Sequence, residues 1–428
     1  MTFINSLEKD EYEEFVSSHP LKAHFMQSVG WGEFNRIERN LTPYYVGMRD
    51  EGEKMVAAAL LLERKPLLFP PYIYSPRGFV IDFFNKQLLK SFCEKISEFC
   101  KEKGVMFLKI DPDIELCEID EDGEQIDNQA KDNSFLVGQL KEYGFRHLGF
   151  NKEFEGRQPR YTFRIDLTGD ENSILENIRG NVLKNVRKCE KNYDTEVYVG
   201  DIKEIEVMYQ LIKDTSVRDD FFCFSEQFYS NFYEVLNSYG MVKLYIGKVN
   251  IKGSIYKLNE QLMTAQKQLE RYTNQKRIDE VEATKQRLLK ELGLFNGYLE
   301  KYGEESITST HMVVNYANRA WAVHAGSSDY MNETFINNRV YLYKILDQKT
   351  EGAVFLDQFG TVGSFKDSKH RSLHEFKRQF GGRYIEFLGE FDMVFKPFCY
   401  NLYIKILPKY RSILFDLKKL FRKEKKNR

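Results

Sequence analysis

No two of the chain's six cysteines form a Cys-x-x-Cys pair, and Cys93, Cys100, Cys117, Cys189, Cys223 and Cys399 follow no regular framework. That spacing excludes a zinc ribbon or a disulfide scaffold and suits scattered, reduced thiols. Proline is scarce, 10 in 428 residues, which rules out collagen-like and Pro-rich low-complexity character. Charge of one sign is missing as well. With 63 Lys and Arg against 64 Asp and Glu the net charge is −1, so a generic nucleic-acid binder with a uniformly basic surface is excluded and only local patches remain. The longest apolar run, Val56 to Leu62, falls far short of the ~20 residues a membrane span needs. The acidic stretch from Met1 to Phe15 lacks the apolar core of a signal peptide. The expectation is a soluble, cytoplasmic protein.

What the chain does have is core material. Apolar residues make up 42%, and 34 Phe and 26 Tyr are enough to fill globular interiors. At ~100–200 residues per domain, the length fits two domains.

Those two domains read as copies of one unit. The first half runs Tyr44-Tyr45-Val46-Gly47, a polar turn, the strand Met55 to Leu62, a helix over about 85–103, and the buried strand Gly104 to Asp111. The second half runs Leu244-Tyr245-Ile246-Gly247, the strand Thr308 to Tyr316, a helix from Glu333 to Gln348, and Gly352 to Asp357. Strand, strand, helix and a Gly-to-Asp strand occur twice, so a duplicated α/β unit is predicted.

The second copy carries an insertion. Ile255, Leu258, Leu262, Ala265, Leu269 and Tyr272 alternate steps of 3 and 4, and after a polar turn Ile278, Val281, Lys285, Leu288, Leu292, Phe295, Leu299 and Tyr302 continue the pattern. Seams of this period on both sides of a turn predict an antiparallel coiled-coil hairpin projecting as an appendage, with the α/β unit closing its core without it.

Two charge runs complete the inventory. From Asp111 to Ala130 nine acidic residues occur without Lys or Arg, which predicts a solvated loop; no EF-hand spacing supports calcium. From Lys405 to Arg428 the charge is +8, leaving −9 for the rest. Ile413, Leu414, Leu417, Leu420 and Phe421 lie there at helical spacing. The tail is either a basic amphipathic helix for an anionic membrane surface or a frayed solubilising end.

Several segments together resemble the Fem family of peptidoglycan-bridge aminoacyltransferases. They are Phe25-Met26-Gln27-Ser28 with Trp31-Gly32-Glu33-Phe34, Tyr74-Ser75-Pro76-Arg77-Gly78, Leu108-Lys109-Ile110-Asp111-Pro112, and Thr215 to Phe221 with Arg218-Asp219. Ala325-Gly326-Ser327-Ser328, Phe376-Lys377-Arg378-Gln379-Phe380-Gly381-Gly382 and Gly389-Glu390-Phe391 follow in order. The resemblance implies an α/β fold of two tandem GNAT-like domains with the coiled-coil arm inserted in the second. The implied division is 1–158 for the first domain, with 388–428 returning to it, 159–387 for the second, and 254–302 for the arm.

The implied activity is transfer of an amino acid from aminoacyl-tRNA to the stem-peptide amine of a peptidoglycan precursor, lipid-linked or UDP-linked. The Arg/Gln-x-x-Gly-x-Gly/Ala turn that binds CoA in acetyltransferases is absent, as are Walker A and strand-linked GxGxxG motifs. No cofactor and no metal are expected, because an aminoacyl ester is already activated. By resemblance, Phe376 and Lys377 sit at the transfer site, where the Lys377 ammonium stabilises the tetrahedral oxyanion. Asp111 ends a predicted buried strand at the carboxyl edge where α/β folds place ligands, and it either orients the attacking amine or takes its proton, or else caps its Asp-Pro-Asp turn. Arg218 is implied to hold precursor phosphates and Trp31 to wall the precursor pocket; the rival readings are a surface ion pair and a core anchor. Relatives carry a lysine four or five residues after this Trp, where this chain has Asn35 and Arg36, so Arg36 is the substrate-binding stand-in. Ala322 and His324 replace alternating tyrosines, and His324 is given no catalytic role. For tRNA, Lys184, Arg187, Lys188 and Lys191 share a helix face that either tracks phosphates or is simply solvated. Two other functions stay open: a GNAT-fold acyltransferase with another donor or acceptor, and a non-catalytic scaffold that binds through the arm.

Overall fold

A computed structural model describes residues 1–20, 22–126, 131–364 and 368–406. The basic tail beyond Ile406, with its expected amphipathic helix, lies outside the described residues. Two compact units are formed, one from residues 1–119, 125–160 and 386 onward, the other from 120–124 and 161–385.

In the first unit the strand order is Thr2–Ile4, Thr42–Arg49, Met55–Arg64, Tyr72–Ser75, Phe107–Ile110, Phe391–Val394, Phe145–His147, with Val80–Ile81 pairing beside Met55–Arg64. Met55–Arg64 (MVAAALLLER) is buried from Ala57 to Glu63, as a central strand covered on both faces must be. Tyr72–Ser75 runs parallel to Phe107–Ile110, and the helix Lys86–Glu102 connects them. Asn85 caps that helix by accepting from Leu88 N. Its Leu88, Leu89, Phe92, Cys93, Ile96, Phe99 and Cys100 form one buried stripe against the sheet. Cys93 and Cys100 act there as small apolar groups.

The second unit repeats the device. Thr195–Gly200, Val242–Asn250, Glu305–Tyr316, Arg319–Ser327, Phe355–Asp357, Tyr161–Asp166 and Arg383–Phe387 follow in sheet order. Arg319–Ser327 is parallel to Phe355–Asp357 through Ala320↔Leu356 and Trp321↔Asp357, with helix Ile336–Thr350 between them in the chain. The expected α/β class is thus present, each unit with a parallel pair bridged by a helix.

Helices Ile251–Arg271 and Gln275–Tyr302 form the hairpin. One expectation needs correcting: the unit does not close its core without the arm. Leu258, Leu288, Leu292 and Phe295 belong to the main core cluster of this unit. Phe295 stacks on Tyr193 at 5.4 Å, and Tyr193 Oη donates to Glu291 at 3.0 Å. Only the distal half stands clear. The acidic stretch is also more than a loop, since Glu115–Glu118 is a strand and Asp111 is buried.

Candidate active site

Lys377 lies in the last turn of helix Arg371–Arg378. Part of the residue stays accessible, but its amine turns inward and donates to the carbonyls of Phe359 and Gly360, the latter at 2.6 Å. Those carbonyls are presented by a folded-back segment after the strand Phe355–Asp357. Asp357 Oδ1 accepts from Phe359 N at 2.8 Å, and Phe359 takes φ 54°, a left-handed conformation costly for a residue with a Cβ. Asp357 is itself held by Thr162 Oγ1 at 2.5 Å and Arg164 Nε at 2.8 Å. Burial pushes the Lys377 amine down from 10.5 to about 7, with Asp357 acting in the opposite direction. Near neutral pH the amine therefore exchanges its proton readily, as a group handling transient charge should.

Phe376 fixes this helix from its apolar side, with rings 5.6 Å from Tyr341 and 5.2 Å from Phe380. The glycines that end the motif are required by geometry. Gly381 and Gly382 have φ 77° and 99°, and a Cβ on either would stand 2.7 Å from Asn177 O or 2.8 Å from Arg164 O. The FKRQFGG motif is thus a helix end plus a tight close approach that seats Lys377.

Behind Lys377 lies a buried polar chain that the sequence reading missed. Lys344 is fully buried, its amine 3.0 Å from His311 Nδ1 and 3.3 Å from the centroid of the Tyr341 ring. His311 Nε2 meets Asn337 Oδ1 at 2.8 Å, and Tyr341 Oη donates to Gln358 at 2.7 Å. Burial, and then the charge of Lys377, hold the Lys344 pKa well below its ordinary value. Burial and then Lys344 do the same to His311. A signal was present: Lys344 falls on the stripe Val340, Tyr341, Ile345, Gln348 that the helix buries. Asp357 was also legible, since it ends the repeat's second strand as Asp111 ends the first.

In the first unit, three of the matching segments converge on Asp111. Tyr74 Oη donates to Oδ2 at 2.9 Å and Arg77 N to Oδ1 at 2.7 Å. Lys109 bridges Glu390 and Asp392, each at 2.9 Å. Burial lifts Asp111 from 3.8 to about 6, with Arg77 opposing and Glu390 adding. The space beside it, lined by Arg77, Gln158, Pro159 and Glu390, holds about 10 Å³, one water at most. Asp111 is therefore a buried acceptor for the Tyr74–Gly78 segment, and neither of these bonds caps its own Asp111-Pro112-Asp113 turn.

The remaining expected residues are placed as follows. Trp31 is buried, edge-on to Phe25 at 5.3 Å and 5.2 Å from Phe34, packing that supports the core-anchor alternative to a pocket wall. Arg36 is exposed, pairs with Glu33 at 2.8 Å, and lines an open cleft of about 610 Å³ with Lys9, Glu33 and Tyr45. Arg218 ends helix Ile205–Arg218 and grips Asp219 with Nε at 3.2 Å and Nη2 at 3.3 Å, while Nη1 reaches Ser327 O at 3.4 Å. This joins the Arg218 segment to the Ala325–Ser328 segment, where Gly326 is needed because a Cβ would meet Ile212 N at 2.6 Å. It also shows the ion pair that rivals a phosphate role. Lys184, Arg187 and Lys191 are exposed on helix Gly180–Asn192, whereas Lys188 folds over the Phe335 ring at 4.9 Å. His324 is edge-on to Tyr229 and Phe232.

Comparison with known proteins agrees with this picture. The FemAB family model matches residues 7–407. Lipid II:glycine glycyltransferases from Staphylococcus aureus strains USA300 and NCTC 8325 are each 27% identical over 422 residues, covering 93% of this chain and 94% of theirs. The crystal structure of FemX superposes with a TM-score of 0.75 at 23% identity, over 94% of this chain and 99% of that one, and shares the fold. The chain belongs to the FemAB family and is an acyltransferase of the aminoacyl-transferring, peptidoglycan-bridge kind.

Proposed function

We propose that the chain moves an aminoacyl group from aminoacyl-tRNA to the stem-peptide amine of a peptidoglycan precursor, with the lipid-linked form as acceptor. The observation that carries this reading is the desolvated Lys377 amine, poised on two backbone carbonyls beside Asp357. The acceptor form is supported by the Staphylococcus relatives, which are lipid II:glycine glycyltransferases.

In the proposed step a neutral amine attacks the ester carbonyl carbon. The carbonyl electron pair moves to oxygen, and Lys377 as ammonium donates to that oxyanion. Collapse re-forms the carbonyl, breaks the bond to the ribose oxygen and forms the amide. The proton lost by the amine ends on the departing ribose hydroxyl, directly or through a side chain. Arg218 is proposed to bind precursor phosphates by exchanging Asp219 for them, a swap between bidentate partners. The exposed Lys184, Arg187 and Lys191 are proposed as tRNA phosphate contacts, with Lys188 and the arm secondary. No helix among the described residues is long and apolar enough to cross a membrane, so access to a lipid-linked acceptor is proposed to come from peripheral contact, the basic tail included.

Incubating the protein with labelled aminoacyl-tRNAs and purified lipid-linked precursor, then weighing the product, tests the reading. A mass increase of one or more aminoacyl residues is expected. No transfer from any aminoacyl-tRNA would overturn it.

A further inference from the structure

The first unit leaves an apolar face uncovered at its edge. Residues 65–70, Lys-Pro-Leu-Leu-Phe-Pro, form a turn in which Leu67 is 98% and Leu68 85% exposed. Nearby, residues 397–406 are helical. Tyr400 and Tyr403 face inward, with rings 5.3 Å from Phe107 and 5.6 Å from Tyr72. Phe398, Leu402 and Ile406, at every fourth position, point outward, and Phe398 is 80% exposed. A helix apolar on both sides with only one side covered is unfinished as a monomer surface. The turn and the helix are joined, because Phe69 packs edge-on against Tyr403 at 5.3 Å.

The surroundings indicate what covers this face. Arg64, Lys65, Lys396 and Lys405 are all exposed along it, with Lys65 partly offset by Glu63 at 3.1 Å. Beyond the last described residue the sequence adds nine Lys and Arg against Asp416 and Glu424. Two copies meeting through this face would bring two basic rims together, which is repulsive. An anionic surface with an apolar interior matches both the leucines and the rim. We propose that Leu67 and Leu68, with Phe398, Leu402 and Ile406, dock the protein on an anionic phospholipid bilayer, the apolar side chains entering the acyl boundary and the basic rim meeting the head groups. This deepens the transferase reading by naming how the protein reaches a lipid-linked acceptor, yet its test needs no substrate.

The full chain is sedimented with vesicles of phosphatidylcholine with or without phosphatidylglycerol, at low and high salt. Wild type is expected to bind the phosphatidylglycerol vesicles, less so in salt. Leu67→Asp/Leu68→Asp should lower partitioning roughly tenfold or more, because two exposed leucines no longer transfer from water. Phe398→Ser is the second probe, and the thermal melts of both variants should match wild type. No vesicle binding by wild type, or unchanged binding by both variants, overturns the proposal. A dimer dissociated by the same substitutions, with no vesicle binding, gives the face to a second copy and also overturns it. Transfer to lipid-linked precursor dispersed in neutral detergent, with no bilayer present, is measured alongside; its failure would count against the transferase reading and leave the vesicle result to judge the docking face.

Discussion

The Lys344 amine stands 3.0 Å from His311 Nδ1, so two basic side chains share one buried hydrogen bond. The bond needs a neutral imidazole that accepts at Nδ1; burial pushes both pKa values down, and the neighbouring lysine adds to the effect on His311. His311 Nε2 then donates to Asn337, which fixes the tautomer. Removing either partner leaves the other unsatisfied, at a cost of about 1–3 kcal/mol. Lys344→Met and His311→Phe should therefore couple: the double variant loses less stability in urea than the two singles added together. As pH falls below 6.5, the unfolded His311 gains a proton that the folded one resists, so wild type loses stability there. In His311→Phe that part of the loss should be gone. Strict additivity with an unchanged pH profile would dissolve the pair.

Asp111 offers the opposite sign. Its folded pKa is raised from 3.8 to about 6, so the folded chain holds the extra proton and stability declines as pH rises across that window. Asp111→Asn keeps an acceptor for Arg77 N and turns its amide N–H toward Tyr74 Oη, which can accept it, and should flatten the decline. If Asp111 orients the amine, kcat/KM of wild type carries an acid limb near pH 6 that the Asn variant lacks. A flattened stability profile with no change in the rate profile would leave Asp111 as a structural acceptor for Tyr74 and Arg77 alone.

The arm divides into a base and a tip. Deleting residues 254–302 removes Leu258, Leu288, Leu292 and Phe295 from the core, each worth ~2–5 kcal/mol when truncated, and the second unit should lose cooperative melting. Excising only 266–280 and closing with a short turn leaves those residues in place and should preserve the melt. If the tip meets tRNA, the trimmed protein binds it more weakly, read by filter binding at fixed salt.

Arg218 tests the exchange of one anion for another. Arg218→Lys keeps the charge but loses the two-pronged grip on Asp219, and a charged hydrogen bond is worth ~1.5–3 kcal/mol. KM for precursor should rise about tenfold or more with kcat little changed. An unaltered KM would make the Asp219 pair the whole of its role.

Periodicity made the scaffold legible. The arm's 3-4 seam, the Leu88–Cys100 stripe and the twin Gly-to-Asp strands all announce themselves because a buried face imposes a spacing on neighbouring residues. The polar site does not work this way. Lys377 depends on the left-handed Phe359, and Asp357 on Thr162 and Arg164 from a strand some two hundred positions earlier; no local pattern records such partners. Trp31 shows the limit from the other side: its burial between Phe25 and Phe34 fits a core anchor, and nothing in the local sequence separates that role from a pocket wall.

Lys377 carries the sharpest test. Lys377→Met keeps the stem's bulk and deletes the amine, separating packing from charge. Between about 7 and 10.5 the unfolded lysine holds a proton that the folded one has released, so this residue makes wild-type stability rise with pH across that window. The rise should disappear in the Met variant, while stability near neutral pH stays close to wild type: losing the bonds to Phe359 and Gly360 is offset by no longer burying an amine. In catalysis the ammonium's contact with the oxygen strengthens as the carbonyl becomes tetrahedral, so its loss belongs in kcat. Removing one such donor slows transfer by roughly 10²–10³ with binding of both substrates intact. The wild-type rate should also fall as pH climbs past about 7 and the ammonium is lost. A Met variant that turns over at the wild-type rate would place this lysine outside the chemistry, and one that no longer folds would make it a strut for the Phe359–Gly360 turn.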